Sequence, residues 1–145
     1  MNESLIRELQ QQILNDPEHF DMETWGEHDD LCGVVCCMAG RVVLMTGGQI
    51  TKDKEFFDRS GWQIFMPSAF AVDQLGISVE EAQRLFHPGS WPKNEQIAFL
   101  QSKRRAGDAR VRMDRTAWEI EKSVQAKLGA TVLGYLLDGS LMSRE

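Results

Sequence analysis

Hydrophobic and polar residues alternate near the N-terminus with the period of an amphipathic α-helix. Polar residues, mostly glutamate and glutamine, separate four apolar residues at helical spacing, Leu5, Ile6, Leu9 and Ile13. This spacing predicts a first helix with one buried face. Asn2 or Ser4 is suited to cap its start, and Asn15-Asp16-Pro17 is suited to end it.

The next large apolar residues lie in an acidic connector, residues 18–30. It carries Phe20, Met22 and Trp25, and exposed loops seldom contain three such side chains. We therefore expect these side chains to hold the connector against the core.

The segment that follows is the most continuously hydrophobic part of the chain. Residues 31–45 are apolar on nearly all sides apart from Arg41. They predict a buried central helix that begins in the cysteine-rich window at Cys32 and ends at Gly47-Gly48. Small residues recur in this window at helical spacing, and they would form a flat stripe against which another helix packs, at Gly33, Cys36, Cys37 and Gly40.

Residues 49–66 show the weakest periodicity. Trp62-Gln63-Ile64-Phe65 indicates a short strand, for which the sequence shows no partner. Helical signals return at Pro67, which suits the first position of a third helix that ends at Gly76. Ser78-Val79-Glu80-Glu81 is a capping box and opens a fourth helix.

Two more helical regions complete the predicted fold. A fifth helix runs from about Lys93 to Arg105, and a last one, which Gly129 and Gly134 bend or split, ends at Asp138-Gly139. The sequence therefore predicts an all-α fold. It is a single compact, bundle-like domain over residues 1–145, with five to six helices around the central helix and room for one short strand pair in residues 49–66.

Composition narrows the class of protein. The 145 residues are 42% hydrophobic and 26% charged, the usual balance of one soluble domain. The formal net charge of -6 disfavours a general nucleic-acid binder, because such binding depends on neutralising phosphates. No apolar run is long enough to span a membrane. Three cysteines without a paired framework indicate a reducing, cytoplasmic location.

Several fragments together resemble a family of small bacterial helical proteins. The fragments are Phe20-Asp21-Met22-x-x-Trp25, Cys32-Gly33-x-x-x-Cys37-x-Ala39-Gly40, Ala71 through Leu75-Gly76, Leu85-Phe86 and Trp91-Pro92. The family reads F-D-M-x-x-W, C-G-T-x-A-C-x-A-G, L-G, L-F and W-P in the same order. The resemblance covers roughly residues 15–95 and implies a compact helical domain, without implying an activity. Val34 stands where the family has threonine, and Cys36 stands where it has alanine, which indicates that position 36 requires a small side chain rather than a thiol.

The cysteine window has two chemical interpretations beside simple packing. Cys32 at a helix start would favour its thiolate, and His19, His28 or His87 would supply the base of a cysteine-dependent enzyme. His28, Cys32 and Cys36 are also spaced by four residues and are ligand types that zinc prefers. Structural zinc takes four ligands, usually in paired short spacings, which the window lacks. The sequence therefore favours no bound metal or other cofactor and keeps these three residues as the candidate ligands.

Two further regions are candidates for binding a partner. Residues 103–115 are rich in basic side chains and would suit nucleic acid or an acidic protein, above all through Arg104, Arg105 and Arg110. An ordinary solvated surface is the alternative. Trp91 precedes Pro92 in a predicted turn, so we expect it to be partly exposed and to line a groove. The acidic residues of the connector would pair with the basic segment within the chain or between subunits.

The motifs of several enzyme classes are missing from the sequence. It contains no phosphate loop, dinucleotide fingerprint, zinc-protease motif or nucleophile elbow. The favoured hypothesis is a non-enzymatic interaction module that binds a protein, or a second copy of itself, through a helical surface or groove. The alternative is a cysteine- or metal-dependent enzyme centred on Cys32 and His28. Binding of nucleic acid or an acidic partner through residues 103–115 is a further alternative.

Overall fold

The computed structural model of the protein describes residues 1–22, 26–29, 33–101 and 115–143, without the side chains of residues 27–29, 33–35 and 115–119. Most of these residues are helical. The helices are α1 (Glu3–Asn15), α2 (Met38–Met45), α3 (Pro67–Leu75), α4 (Val79–Phe86), α5 (residues 93–101) and α6 (Arg115–Leu137). Short 3₁₀ turns lie at Pro17–His19, Pro88–Ser90 and Leu141–Ser143. The predicted all-α class is confirmed.

Two small antiparallel sheets accompany the helices. β1 (Glu27–Asp29) pairs with β2 (Gly33–Val35). β3 (Gln49–Ile50), β4 (Phe56–Phe57) and β5 (Gln63–Ile64) form a three-stranded meander in that order. The predicted strand around Ile64 is confirmed, and its partner β4 is a two-residue strand too short to show a period in the sequence.

The central helix begins later than the sequence predicts. Residues 33–35 form β2, and α2 begins at Met38 with Cys37 as its N-cap in extended backbone. The expectation of a helix from Cys32 is wrong, because these residues pair with β1 and Val34-Val35 is a pair of β-branched residues that favours a strand. The helical stripe of small residues is wrong for the same reason, and of its members only Gly40 lies within α2.

Predicted signals at three helix ends are confirmed. The Asn2 side chain accepts a hydrogen bond from the Leu5 amide at 3.1 Å and caps α1. Ser78 and Glu81 exchange both bonds of the capping box at the start of α4. Gly76 ends α3 with φ +65°, a left-handed conformation that glycine adopts without strain. Each of these contacts acts within one helical turn and sets where its helix begins or ends.

The core lies where α6 packs against α1 and the connector. It draws fully buried side chains from most of the helices, including Ile6, Leu9, Phe20, Met38, Leu75, Leu85 and Leu133. Phe20 and Met22 are both buried, so the prediction that they hold the connector is confirmed for these two residues. Trp25 lies outside the described residues. α6 is continuous through Gly129 and Gly134, so the predicted split is wrong.

Gly129 lets α6 approach the connector closely. A Cβ atom at this position would lie 2.9 Å from Met38 Cε and 3.2 Å from the ring of Phe20. At Gly134, on the same helix, the nearest atom would be Gln10 Nε2 at 3.6 Å, which is ordinary contact. Only the first glycine is therefore required by packing.

The two glycines predict opposite effects of the same substitution. Gly134→Ala should raise the free energy of unfolding by up to about 1 kcal/mol, because alanine favours helix over glycine. Gly129→Ala should lower it by about 1–3 kcal/mol, because the added methyl overpacks Phe20 and Met38. Urea denaturation of both variants measures the difference. Equal stabilisation by the two substitutions would show that α6 does not pack closely at Gly129.

Candidate functional site

Cys36 and Cys37 are packing residues in two different clusters. Cys36 is fully buried beside Val43, Ile50 and Phe56, and Cys37 lies in the main core. Burial raises the pKa of the Cys36 thiol to about 12, and burial is also the main cause that raises the pKa of Cys37. Both thiols are protonated and covered at neutral pH, so neither is suited to act as a nucleophile.

The other proposed catalytic and metal-binding residues are not brought together among the described side chains. Cys32 and the side chain of His28 lie outside the described residues, whereas His19 Nδ1 lies 2.6 Å from Asp16 Oδ1. His87 is exposed at the end of α4. No group of three His, Cys, Asp or Glu side chains that could hold a metal ion occurs in the part of the chain that the structure describes.

A buried polar cluster on α6 binds the connector. Gln125 is 1% exposed, and its Oε1 accepts a hydrogen bond from the Met22 amide at 2.7 Å. Lys122 is 5% exposed, and its Nζ lies 3.2 Å from Asp21 Oδ2 and 3.5 Å from the Phe20 carbonyl oxygen. These groups satisfy backbone that would otherwise be buried without a partner. Their contacts explain the cluster as structural.

Trp91 is buried rather than partly exposed. Its side chain is 2% exposed, Nε1 donates to the Leu85 carbonyl at 3.2 Å, and its ring meets Phe99 edge-on with centroids 5.8 Å apart. The expected exposure is therefore wrong, because the indole closes the end of α4. The expected groove is present, since Trp91 lines a cavity of about 500 Å³ with Arg84, Lys93 and other residues of the α4–α5 region. The other predicted binding residues, Arg104, Arg105 and Arg110, lie outside the described residues.

The largest exposed apolar side chains of the described chain lie together around β5. Trp62 is 76% exposed, Phe65 is 81% exposed and Met66 is 65% exposed. We call these three residues the aromatic edge. Single exposed apolar residues are ordinary on protein surfaces, but a group of this size within five residues is typical of an interaction site.

Two cavities flank the start of α3 and share Ser68. The first, of about 600 Å³, lies beside the aromatic edge. It is lined by Phe56, by residues 63–68, and by Gly26, Lys54 and Glu55. The second, of about 300 Å³, is a groove between α3 and α4 whose apolar lining is Ala69, Val72, Val79, Ala82 and Phe86. We call it the α3–α4 groove. Because Ser68 lines both, the two cavities adjoin each other between β5 and α4.

Sequence reasoning identified the strand at Trp62 but missed this surface. The signal was available, because residues 60–66 carry no charged side chain and exposed strands of natural proteins usually carry one. The α3–α4 groove gives no such signal, since Val72 and Val79 follow the same helical spacing that core residues follow.

No known family model matches the chain, and no curated protein or solved structure matches it. Its similarity to the small bacterial family therefore stays a prediction. Within the described residues, no helix is both long enough and apolar enough to cross a membrane. A function for this chain is therefore inferred from its own structure.

The polar cluster predicts a large cost for an apolar replacement of similar size. Gln125→Leu leaves the buried Met22 amide without an acceptor, which should lower the free energy of unfolding by about 1–3 kcal/mol. Lys127→Leu, at an exposed position of the same helix, should change it by less than about 0.5 kcal/mol. Urea denaturation compares the two variants. Equal values would mean that the Met22–Gln125 contact does not form.

The burial of two thiols predicts their reactivity. In a Cys32→Ser variant, Cys36 and Cys37 should not react with an aromatic disulfide reagent near neutral pH while the protein is folded. Both should react once denaturant exposes them. Adding Ser60→Cys, at an exposed position, provides the control that reacts at once. Rapid reaction of either native thiol would contradict their assignment as packing residues.

Proposed function

We propose that the protein is a non-enzymatic interaction module of the bacterial cytoplasm that binds another protein through the aromatic edge and the α3–α4 groove. The observation that carries the proposal is the exposure of Trp62, Phe65 and Met66, between 65% and 81%, beside two cavities. The cytoplasmic assignment is supported by the free, buried thiols of Cys36 and Cys37, since disulfides are rare in reducing compartments.

The area of the aromatic edge is large enough to matter for binding. A tryptophan and a phenylalanine exposed to this extent offer on the order of 300 Å² of apolar surface. Covering it is worth about 7 kcal/mol before the costs of association. Those costs amount to roughly 4–15 kcal/mol, so the edge supplies the anchors of an interface and the neighbouring cavities must supply further contacts.

The chemistry of the α3–α4 groove supports binding rather than catalysis. Its lining is apolar apart from Ser68, Gln83 and His87. No hydrogen bond joins Ser68 to His87 in the described part of the chain, so the pair lacks the contact that would activate a serine. A groove with this lining suits an apolar side chain of a partner.

Two hypotheses from the sequence stay predictions, because their central groups lie outside the described residues or side chains. One is the enzyme centred on Cys32 and His28, and the other is binding of nucleic acid or an acidic partner through residues 103–115. Neither has support from the aromatic edge or the α3–α4 groove, whose described residues offer no nucleophile with an activating partner and no cluster of positive charge to bind phosphates.

Photo-crosslinking in cells tests the proposed function. A benzophenone amino acid in place of Phe65 should give a discrete covalent adduct, because position 65 is the most exposed part of the proposed interface. The same group in place of Lys127, on an exposed face of α6, should give none. Adding Trp62→Ser should abolish the adduct at position 65. Identical results at both positions, whether no adduct or a diffuse smear, would overturn the proposal.

A further inference from the structure

The outer side of β5 carries backbone groups that point away from the sheet. The Asp58 amide donates to the Trp62 carbonyl at 2.8 Å, and Phe56 stands opposite Ile64. Hydrogen-bonded and non-bonded pairs alternate along antiparallel strands. Ile64 therefore bonds to β4, whereas the N–H and C=O groups of Gln63 and Phe65 point outward.

Among the described residues no second strand pairs with this edge, and residues 60–66 contain neither a proline nor a charged side chain that would block pairing. Natural proteins usually protect such an edge with a lysine, a proline or a covering element. On the other side of the sheet, Gly26 packs against the Ile50 side chain of β3, since a Cβ on Gly26 would lie 2.9 Å from it.

We propose that the aromatic edge binds a second copy of this chain, with the two β5 strands paired antiparallel about a two-fold axis at Ile64. The inference rests on the proposed function and names the partner for that surface. In this register Gln63 faces Phe65 of the second copy, and the reverse pair forms by symmetry. Each pair exchanges two hydrogen bonds, so all four outward N–H groups and carbonyls at these positions in each copy gain partners.

The same register makes the side chains complementary. Trp62 of each copy stands opposite Met66 of the other copy. A thioether beside an aromatic ring is a favourable contact. Met66 continues the extended backbone with φ -129° and ψ 90°. The pairing ends before Gly61, because its φ of +87° is a left-handed turn conformation rather than extended backbone.

Area and charge also suit a second copy. A standard interface buries about 800 Å² on each partner, and Trp62 and Phe65 offer on the order of 300 Å² of it. The remaining area must come from Met66, the strand backbone and the adjoining cavity, which Phe65 and Met66 both line. Each copy carries a formal net charge of -6, and residues 60–66 let two such chains meet where neither contributes a charge.

Cysteine pairing tests the register directly. In a Cys32→Ser background, Trp62→Cys and Met66→Cys are made as separate variants, both at exposed positions. Under mild oxidation neither variant should crosslink to itself, because each new thiol faces a native side chain. An equimolar mixture should give a disulfide-linked dimer, because residues 62 and 66 form a non-hydrogen-bonded pair with closely spaced side chains. Crosslinking of either variant alone, or no crosslinking of the mixture, would overturn the proposal.

Sedimentation velocity supplies the independent readout. The unmodified chain should sediment as a dimer, Phe65→Lys should sediment as a monomer, and Ile97→Lys, which places the same charge at a 51% exposed position on α5, should stay dimeric. Thermal unfolding checks that both variants fold. A monomeric unmodified chain whose position 65 crosslinks to a different protein in cells would refute the dimer and leave the proposed function standing. A monomer that crosslinks to nothing would refute both.

Discussion

The contact between Phe20 and Gly129 is the constraint on which the rest of the fold depends. The ring of Phe20 is fully buried, and a Cβ on Gly129 would come within 3.2 Å of it. This close approach brings Gln125 within 2.7 Å of the Met22 amide. Phe20 and Met22 thus lie buried where the connector packs against α6. Packing buries apolar surface, and the hydrogen bond to Gln125 offsets the cost of burying the backbone at Met22.

The position of the proposed binding surface follows from that arrangement. α2 is buried between the connector and α3, and it ends where Gly48 is packed against Val43 and the Phe57 carbonyl. The small sheet therefore extends from the end of α2, with Cys36, Val43, Ile50 and Phe56 as its own cluster. β5 lies on the far side of this sheet from β3. Its exposed side chains add nothing to the core, so substitutions there are expected to alter binding without unfolding the protein.

The parts of the fold that could be predicted from sequence are those set by local chemistry. The cap at Asn2, the capping box at Ser78 and the left-handed glycine at Gly76 each act within one helical turn. The start of α2 could not be predicted in this way, because residues 33–35 are apolar enough for a buried helix and pairing with β1 decided against it. The burial of Trp91 could not be predicted for a similar reason, since a tertiary contact with Phe99 buries a residue that its local turn would expose.

Residues on α6 and β5 are further cases in which the local sequence does not predict burial. Lys122 and Gln125 look like surface residues in the sequence and are buried because they bind the connector. Trp62 and Phe65 look like core residues and are exposed because β5 is an edge strand. In both cases the deciding factor is whether a part of the chain distant in sequence packs against the residue. The exposed aromatic side chains are therefore more informative about function than the buried polar ones, because no part of the described chain covers them.

Amide hydrogen exchange at several protein concentrations tests most directly whether β5 is an edge that pairs with a second copy. Exchange in residues 61–66 should slow as concentration rises, while exchange in α6 should not change. The Phe65→Lys variant should lose this dependence. Exchange at residues 61–66 that is independent of concentration, or protection that appears on another element instead, would show that β5 does not pair.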